Sequence, residues 1–468
     1  MTIPTYSSTG TVNFDRHLTA GRLYPFQTVG VAMALVERRC FIADEMGLGK
    51  TVQALTACEV DGAFPAVVVC PAGLKDNWRI EIERFFPHRR VEVLKGNGPG
   101  SIPSADFWIV GWPTLESWLS MLLDSGPFKA LILDESHYAS YGTSRRTQAA
   151  KTLSKTVEFD GLRLALTGTP INNRPEELIP QLEIIDRLYD IAPQPRFAWK
   201  DQRSWAESFK THFCGPDGDL EGLHRRLRGC CYIRREREDV GAQITAGGFK
   251  ATVRRDVRLT LNGELELYRD AEQDLIRYLY ETRGAAAARG AVRSRALLKM
   301  AILRRRAGEA KTPVAIEWIA NFLDSNPDRS LVVFAHHRAV QRRLVDTFDC
   351  AHILGVERDP EEQKRQFMSG DSRLIVCSLS AAREGHNLTR AADVLFVEQA
   401  WTPGAMQQAE DRANRIGQTA EQVFAWNLLA EGTIDLRVTE ILEQKRDLFD
   451  QAARGGSSMA SILLYSYL

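Results

Sequence analysis

Cys40–Phe41–Ile42–Ala43–Asp44–Glu45–Met46–Gly47–Leu48–Gly49–Lys50–Thr51 is the stretch whose reading decides the fold. The apolar run Cys40 to Ala43 predicts a buried strand, a glycine-bearing turn follows, and Thr51 opens an apolar-periodic segment through Val52, Leu55 and Cys58 that predicts a helix. Strand, turn and helix in that order make a phosphate cradle. Gly47 and Gly49 let the backbone approach an anion, and the helix N-terminus aims N–H groups at it. Lys50 supplies charge for the β- and γ-phosphates and the Thr51 hydroxyl can hold Mg²⁺, so residues Asp44, Glu45, Met46, Gly47, Leu48, Gly49, Lys50 and Thr51 are expected to carry a nucleotide. The strict eight-residue P-loop would need glycine at position 44, where this chain has Asp44; the shorter Gly-x-Gly-Lys-Thr form stands instead.

Working outward, Leu23–Tyr24–Pro25–Phe26–Gln27 places an aromatic-flanked glutamine at the head of an apolar helix. A glutamine amide can both donate to and accept from an adenine edge, so Gln27 before a phosphate loop reads as a base contact, although alone it is an ordinary helix-start residue. After the cradle, Pro65–Cys70 is a β-branched strand closed by Pro71, and Leu74–Lys75–Asp76–Asn77–Trp78 opens an amphipathic helix through Phe85. Lys75 and its helix start could meet a nucleic-acid phosphate; a solvated lysine is an equal reading. Phe107–Val110 and Ala130–Leu133 continue a parallel α/β sheet.

Asp134 and Glu135 directly follow the second of these strands, at the edge where open α/β sheets bind ligands. Asp134 is placed to hold Mg²⁺ through water and Glu135 to polarise the water that attacks a γ-phosphate. His137 lies one step further on, where it could sense the phosphate and couple it to a second lobe. Leu162–Leu166 leads into the hydroxyl-rich turn Thr167–Gly168–Thr169–Pro170, a candidate switch that as bare sequence is only a β-turn.

The bulk numbers set bounds. At 468 residues with 44% hydrophobic and 26% charged, the chain suits two or three globular domains. Sixty basic against sixty acidic residues give zero net charge, so any nucleic-acid contact must come from a local basic surface. Eight scattered cysteines without Cys-x-x-Cys spacing predict reduced thiols and no structural zinc. No apolar run approaches a membrane span and the first residues are polar, so a soluble, intracellular protein of cytoplasm, nucleoid or nucleus is expected, with no membrane partner.

The motifs Asp44–Thr51, Cys70–Pro71 with Trp78, Asp134–His137 and Thr167–Pro170 resemble, in order, those of the Swi/Snf family, double-stranded-DNA translocases within helicase superfamily two. Tyr232–Val240 resembles that family's Arg-Arg-x-x-x-Asp-Val brace, and Ser378–Leu388 its motif V, with Ala382 and Arg383 in place of the usual glycines. The run Trp401–Gln418 is closest, its Gln-Ala-x-Asp-Arg-x-x-Arg-Ile-Gly-Gln core being most similar to the branch that holds the SMARCAL-type annealing helicases. The resemblance implies two tandem RecA-like α/β lobes with parallel sheets, ATP and Mg²⁺ as cofactors, and duplex DNA, forks included, as partner to a monomer. It implies coupling roles for His137, Thr167, Gly168, Thr169, Gln408 and Gln418, and DNA contacts at Lys75, Trp78, Gly385 and Asn387. Arg412 and Arg415, three apart and expected on one helix face, read as arginine fingers for the γ-phosphate.

Five segments are expected: a tail over 1–21, lobe 1 over 22–240, a linker and basic helical insertion over 241–311, lobe 2 over 312–454 and a tail over 455–468. From Arg283 to Gly308 the chain carries eight Lys/Arg and no Asp or Glu, so Arg289, Arg293 and Arg304 are candidate backbone-tracking residues, exposed whether or not the helix touches DNA. The expected function is an ATP-dependent duplex-DNA translocase, with Lys50, Asp134, Glu135, Arg412 and Arg415 catalytic. A strand-separating DNA or RNA helicase is the alternative, and an ATP-gated clamp without turnover a further one.

Overall fold

The computed structural model describes residues 13–96, 98, 102–195, 202–215, 217–244, 250–261, 265, 268–269, 288–355, 360–380, 387–415 and 418–449. The chain divides into two units, Met1–Thr245 with Asp447–Leu468, and Ala246–Arg446. Among the described residues no helix is long and apolar enough to cross a membrane.

The first unit is built on strands β1 (Arg39–Ile42), β2 (Ala66–Cys70), β3 (Val91–Val93), β4 (Phe107–Gly111), β5 (Phe128–Asp134), β6 (Val157–Leu166) and β7 (Tyr232–Ile233). They lie in the order β3-β4-β2-β5-β6-β1-β7, and each pairing is parallel. Parallel sheets are covered by helices on both faces, which is why β2 and β4 are buried throughout and read as unbroken apolar runs. Phe41, Phe107, Phe128, Trp112 and Trp118 fill the core. Register then positions the site. Ile42 and Asp134 both pair with Leu166, so the residues that follow β1, β5 and β6 leave the sheet at one carboxyl edge.

The second unit repeats the plan with β8 (Ala251–Leu259), β9 (Leu331–Ala335), β10 (Ala351–Ile353), β11 (Leu374–Ser378), β12 (Asp393–Phe396) and β13 (Gln422–Ala430), ordered β10-β11-β9-β12-β13-β8 and again parallel. Both RecA-like sheets are therefore as expected, and the segment between them takes part in the second. β8 pairs with β13 from Ala251 to Leu259, so the expected linker contributes the edge strand of the second sheet. The helix Ala288–Ser325 likewise runs across the expected break at 311/312. Lys311 is buried within it, its Nζ donating to Asp435 Oδ2 at 2.6 Å and Leu428 O at 3.0 Å, so the helix is fastened to the second unit where the sequence suggested a join.

Candidate nucleotide site

The phosphate loop starts where β1 ends. Gly47 and Gly49 take φ of +83° and +75°, a region that favours glycine, and Gly49 ends the turn from which the helix Lys50–Asp61 departs. A Cβ at position 49 would also lie 2.4 Å from Gln27 Nε2 and would push that amide off the loop. Gln27 pins the loop from behind: its Nε2 donates to Leu48 O at 3.1 Å and its Oε1 accepts the Tyr24 N–H at 3.0 Å. Lys50 is drawn back into the loop, with Nζ donating to Asp44 O at 2.9 Å and Glu45 O at 3.4 Å. Burial lowers the Lys50 pKa, and the charges of Glu135, Asp44 and Asp134 oppose that shift. A half-buried ammonium behind a helix N-terminus is a fitting seat for a polyphosphate.

Asp134 closes β5 and is 8% exposed. Its Oδ2 accepts the Trp78 indole N–H at 2.8 Å and its Oδ1 accepts the Glu135 N–H at 3.0 Å. Burial and then the neighbouring Glu135 charge push its pKa up to about 7, while Trp78 and Lys50 pull it down. A carboxyl so placed favours a cation beside it, as a Mg²⁺ ligand should. Glu135 sits in the left-handed region at φ +49°, which turns its carboxylate back over the sheet edge to 3.3 Å from His137 Nδ1. The same His137 nitrogen is 3.2 Å from Thr167 Oγ1, which in turn accepts the Thr169 N–H at 3.1 Å. Gly168 lies against the loop: a Cβ there would be 3.1 Å from Met46 Cγ and 3.7 Å from Lys50 Nζ. Lys50, Asp134, Glu135, His137 and the Thr167–Thr169 turn thus converge at one sheet edge.

Several expected contacts are corrected. Trp78 is 2% exposed and spends its only donor on Asp134, so it orders the carboxylate and does not face DNA. Lys75 donates to Leu94 O at 3.0 Å and is half-buried, which ties it to its own unit. The Asp44 carboxylate is fully buried and its oxygens are engaged within the unit. It accepts from Arg235 N at 3.1 Å, Arg235 Nε at 2.8 Å and Gln53 Nε2 at 3.0 Å. Glu45 Oε2 accepts the Arg237 N–H at 2.8 Å and Met46 O accepts from Arg237 Nη2 at 2.9 Å. Arg235 and Arg237 entered the sequence reading only within the Tyr232–Val240 brace and not as site residues, because their partners lie far off in sequence, and Gln53, nine residues from Asp44, bore no local mark of that bond. One signal was available: Gly30, inside the helix Pro25–Glu37, where a Cβ would come 1.8 Å from Gln53 Oε1 and 2.8 Å from Arg235 Nη2.

In the second unit the helix Pro403–Glu410 stops before the arginines, so Arg412 and Arg415 stand on the turn beyond it and not on a helix face. Arg412 is 7% exposed, its carbonyl accepting the Leu388 N–H at 2.8 Å, and Arg415 Nε donates to Asp411 O at 3.1 Å. Gln408 is buried, and Gln418 staples the turn through Ala391 O at 2.8 Å and Ala413 O at 2.9 Å. Two residues the sequence reading passed over tie this motif to β8. Glu410 accepts from Arg254 Nη2 at 2.6 Å, and Asn414 Nδ2 donates to Thr252 Oγ1 at 2.9 Å. Arg304 is also corrected: it is 6% exposed, lies 4.1 Å from the Trp401 ring centroid and donates to Gln399 O, so it packs inside the unit. Arg289 and Arg293 lie on the helix Ala288–Ser325, but their side chains, like Gly385, fall outside the described residues; Asn387 is half-buried.

A parallel α/β unit with a Gly-x-Gly-Lys-Thr loop, an Asp-Glu pair and a second parallel unit defines a helicase-like ATPase. The SNF2-related domain matches residues 26–306 and the helicase conserved C-terminal domain residues 314–417, and the chain belongs to the SNF2-related family. It is 30% identical over 457 residues to the SWI/SNF-related matrix-associated actin-dependent regulator of chromatin subfamily A-like protein 1 homolog of Caenorhabditis elegans, covering 92% of this chain and 62% of that one. It is 29% identical over 459 residues to the DNA annealing helicase and endonuclease ZRANB3 of Mus musculus, covering 93% of this chain and 41% of that one. The chain therefore spans only part of these relatives. Among solved structures, the Sulfolobus solfataricus SWI2/SNF2 ATPase core in complex with dsDNA aligns over 96% of each chain at 21% identity, with a TM-score of 0.45.

Proposed function

We propose that this protein hydrolyses ATP with Mg²⁺ and couples the cycle to movement along duplex DNA without parting the strands. The observation that carries the ATP reading is the convergence of Lys50, Asp134 and Glu135 on one sheet edge around the Gly47–Gly49 turn. Lys50 and the first amides of its helix bind and orient the β- and γ-phosphates. Thr51 and Asp134 would hold Mg²⁺, which supplies charge neutralisation on the phosphates when bound. Glu135 takes the proton of the attacking water, and His137, touching both Glu135 and Thr167, relays the state of the γ-phosphate to the Thr167–Thr169 turn. The family resemblance supports Arg412 and Arg415 as arginine fingers for the phosphoryl charge, and Gln27, whose amide already holds Leu48 O and the Tyr24 N–H, keeps one amide hydrogen and one lone pair for an adenine edge.

The duplex-DNA reading rests on family membership and on the annealing-helicase relatives. ATPase rates without nucleic acid and with single-stranded DNA, duplex, fork and RNA test it, beside triplex displacement on duplex and unwinding of a tailed duplex. Duplex-stimulated turnover with triplex displaced and duplex intact is expected; unwinding without triplex displacement would overturn it. Glu135→Gln should bind ATP yet stall hydrolysis. Arg415→Ala should lose on the order of 10³–10⁵ in rate with modest loss of affinity. Near-normal turnover by Glu135→Gln would sink its role as base.

A further inference from the structure

The phosphate loop is not held by its own sequence neighbours alone. β7 runs parallel to β1, and the ladder goes on past the strands, Ala43 N–H donating to Ile233 O at 2.7 Å and Glu45 N–H to Arg235 O at 2.9 Å. Side chains then take over. Arg234 Nη1 donates to Ala43 O and to Gly168 O, both at 2.8 Å, joining the loop to the Thr167–Thr169 turn. Arg235 grips the Asp44 carboxylate with its backbone N–H, Nε and Nη2, reaches Gln53 Oε1 at 2.8 Å and donates to Phe26 O. Arg237 binds Glu45 through its N–H and Met46 through its guanidinium. Residues Ala43 to Met46 are thus each fastened to the segment Arg234–Arg237. That segment continues through the short helix Arg237–Val240 to Ile244, and the second unit begins at Ala246.

We propose that Arg235 and Arg237 are positioning residues that make the phosphate loop and the chain leading into the second unit one mechanical piece. Nucleotide binding at the loop is thereby felt along residues 237–244 before any contact with DNA is needed. The inference rests on the nucleotide reading of the site. Its logic is geometric: a loop that tightens on a phosphate must carry Glu45 and Met46 with it, and both are bonded to Arg237. A rigid element with bonds at one end and a covalent exit at the other is a carrier of coupling.

The test is amide hydrogen exchange of residues 237–244 in the full chain, with and without Mg²⁺–ADP at concentrations that saturate each protein. In the wild type, ADP should slow exchange there by about 5- to 150-fold, the ordinary range of coupling between two sites. Arg237→Ala should bind ADP, more weakly, and lose that protection, and Arg237→Lys, which keeps a donor for Met46 O, should recover part of it. Glu45→Ala, which removes the carboxylate that accepts the Arg237 N–H and so cuts the other bond between the loop and this segment, should likewise lose protection and gives a second reading should the first variant not fold. Equal protection in Arg237→Ala and the wild type would overturn the proposal, as would wild-type protein that binds ADP without protecting 237–244. Failure of the wild type to bind ADP at all would instead sink the nucleotide reading, and this inference with it.

Discussion

Replacing Asp44 by glycine would restore the strict eight-residue P-loop spacing, and the structure says that the change should damage the protein. The Asp44 carboxylate is 0% exposed and accepts from Arg235 N at 3.1 Å, Arg235 Nε at 2.8 Å, Arg235 Nη2 and Gln53 Nε2 at 3.0 Å. Arg235 is itself only 13% exposed at its side chain. Asp44→Gly therefore leaves a buried guanidinium without its acid, and removing one partner of a buried pair costs about 3–5 kcal/mol. In a folding unit of this size each kcal/mol lowers Tm by about 2–4 °C, so the first unit should melt roughly 6–20 °C earlier. Differential scanning calorimetry reads this directly, the relevant transition being the one that Mg²⁺–ADP raises in the wild type. ADP affinity should fall as well, because Asp44 holds Arg235, and Arg235 holds β7 against the loop. A melting point within about 2 °C of wild type, or tighter ADP binding, would refute the reasoning.

Three further outcomes follow from named contacts. Because burial raises the Asp134 pKa to about 7 in the folded protein, above its ordinary value, the folded state holds that proton more tightly than the unfolded one. The carboxyl's protonated form thus favours folding of the metal-free protein below the ordinary carboxylate pKa, and that stability is lost as pH rises towards 7. Mg²⁺–nucleotide affinity, which needs the carboxylate, should rise over the same window and level off above it; calorimetric titration across pH checks this, and an unchanged profile in Asp134→Asn would count against it. Trp78→Phe keeps the buried ring but removes the N–H that lowers the Asp134 pKa, so it should move that midpoint upward while leaving DNA affinity unaltered; the same titration and a fluorescence-anisotropy binding curve separate the two. Arg304→Ala should lower thermal stability through loss of its stack on Trp401 and its bond to Gln399, yet leave the salt dependence of duplex binding unchanged, whereas a flatter slope would mean a phosphate contact after all.

The chain's local order made much legible. Cys40 to Thr51 reads as strand, turn and helix because burial, glycine and apolar period each act over a few residues. Asp134 and Glu135 could be placed at a sheet edge because the run before them was apolar enough to be a covered parallel strand. What the local sequence could not reveal were bonds between residues far apart in the chain. The occupants of Asp44, Glu45 and Met46 arrive some 190 positions later, and the donor to Asp134 is Trp78, 56 positions earlier. A charged or aromatic residue carries no local mark of which partner folding will bring to it, so Trp78 and Arg304 read as surface contacts when both are buried donors. The edge strand β8 inside the expected linker was hidden for the same reason, since it is a strand only by pairing with β13 across more than 160 residues of chain. Sequence determined which chemical groups the loop and the strand ends carry. Tertiary structure decided which of those groups are already engaged and which can turn toward a nucleotide, because hydrogen-bond partnership is a property of space and not of order along the chain.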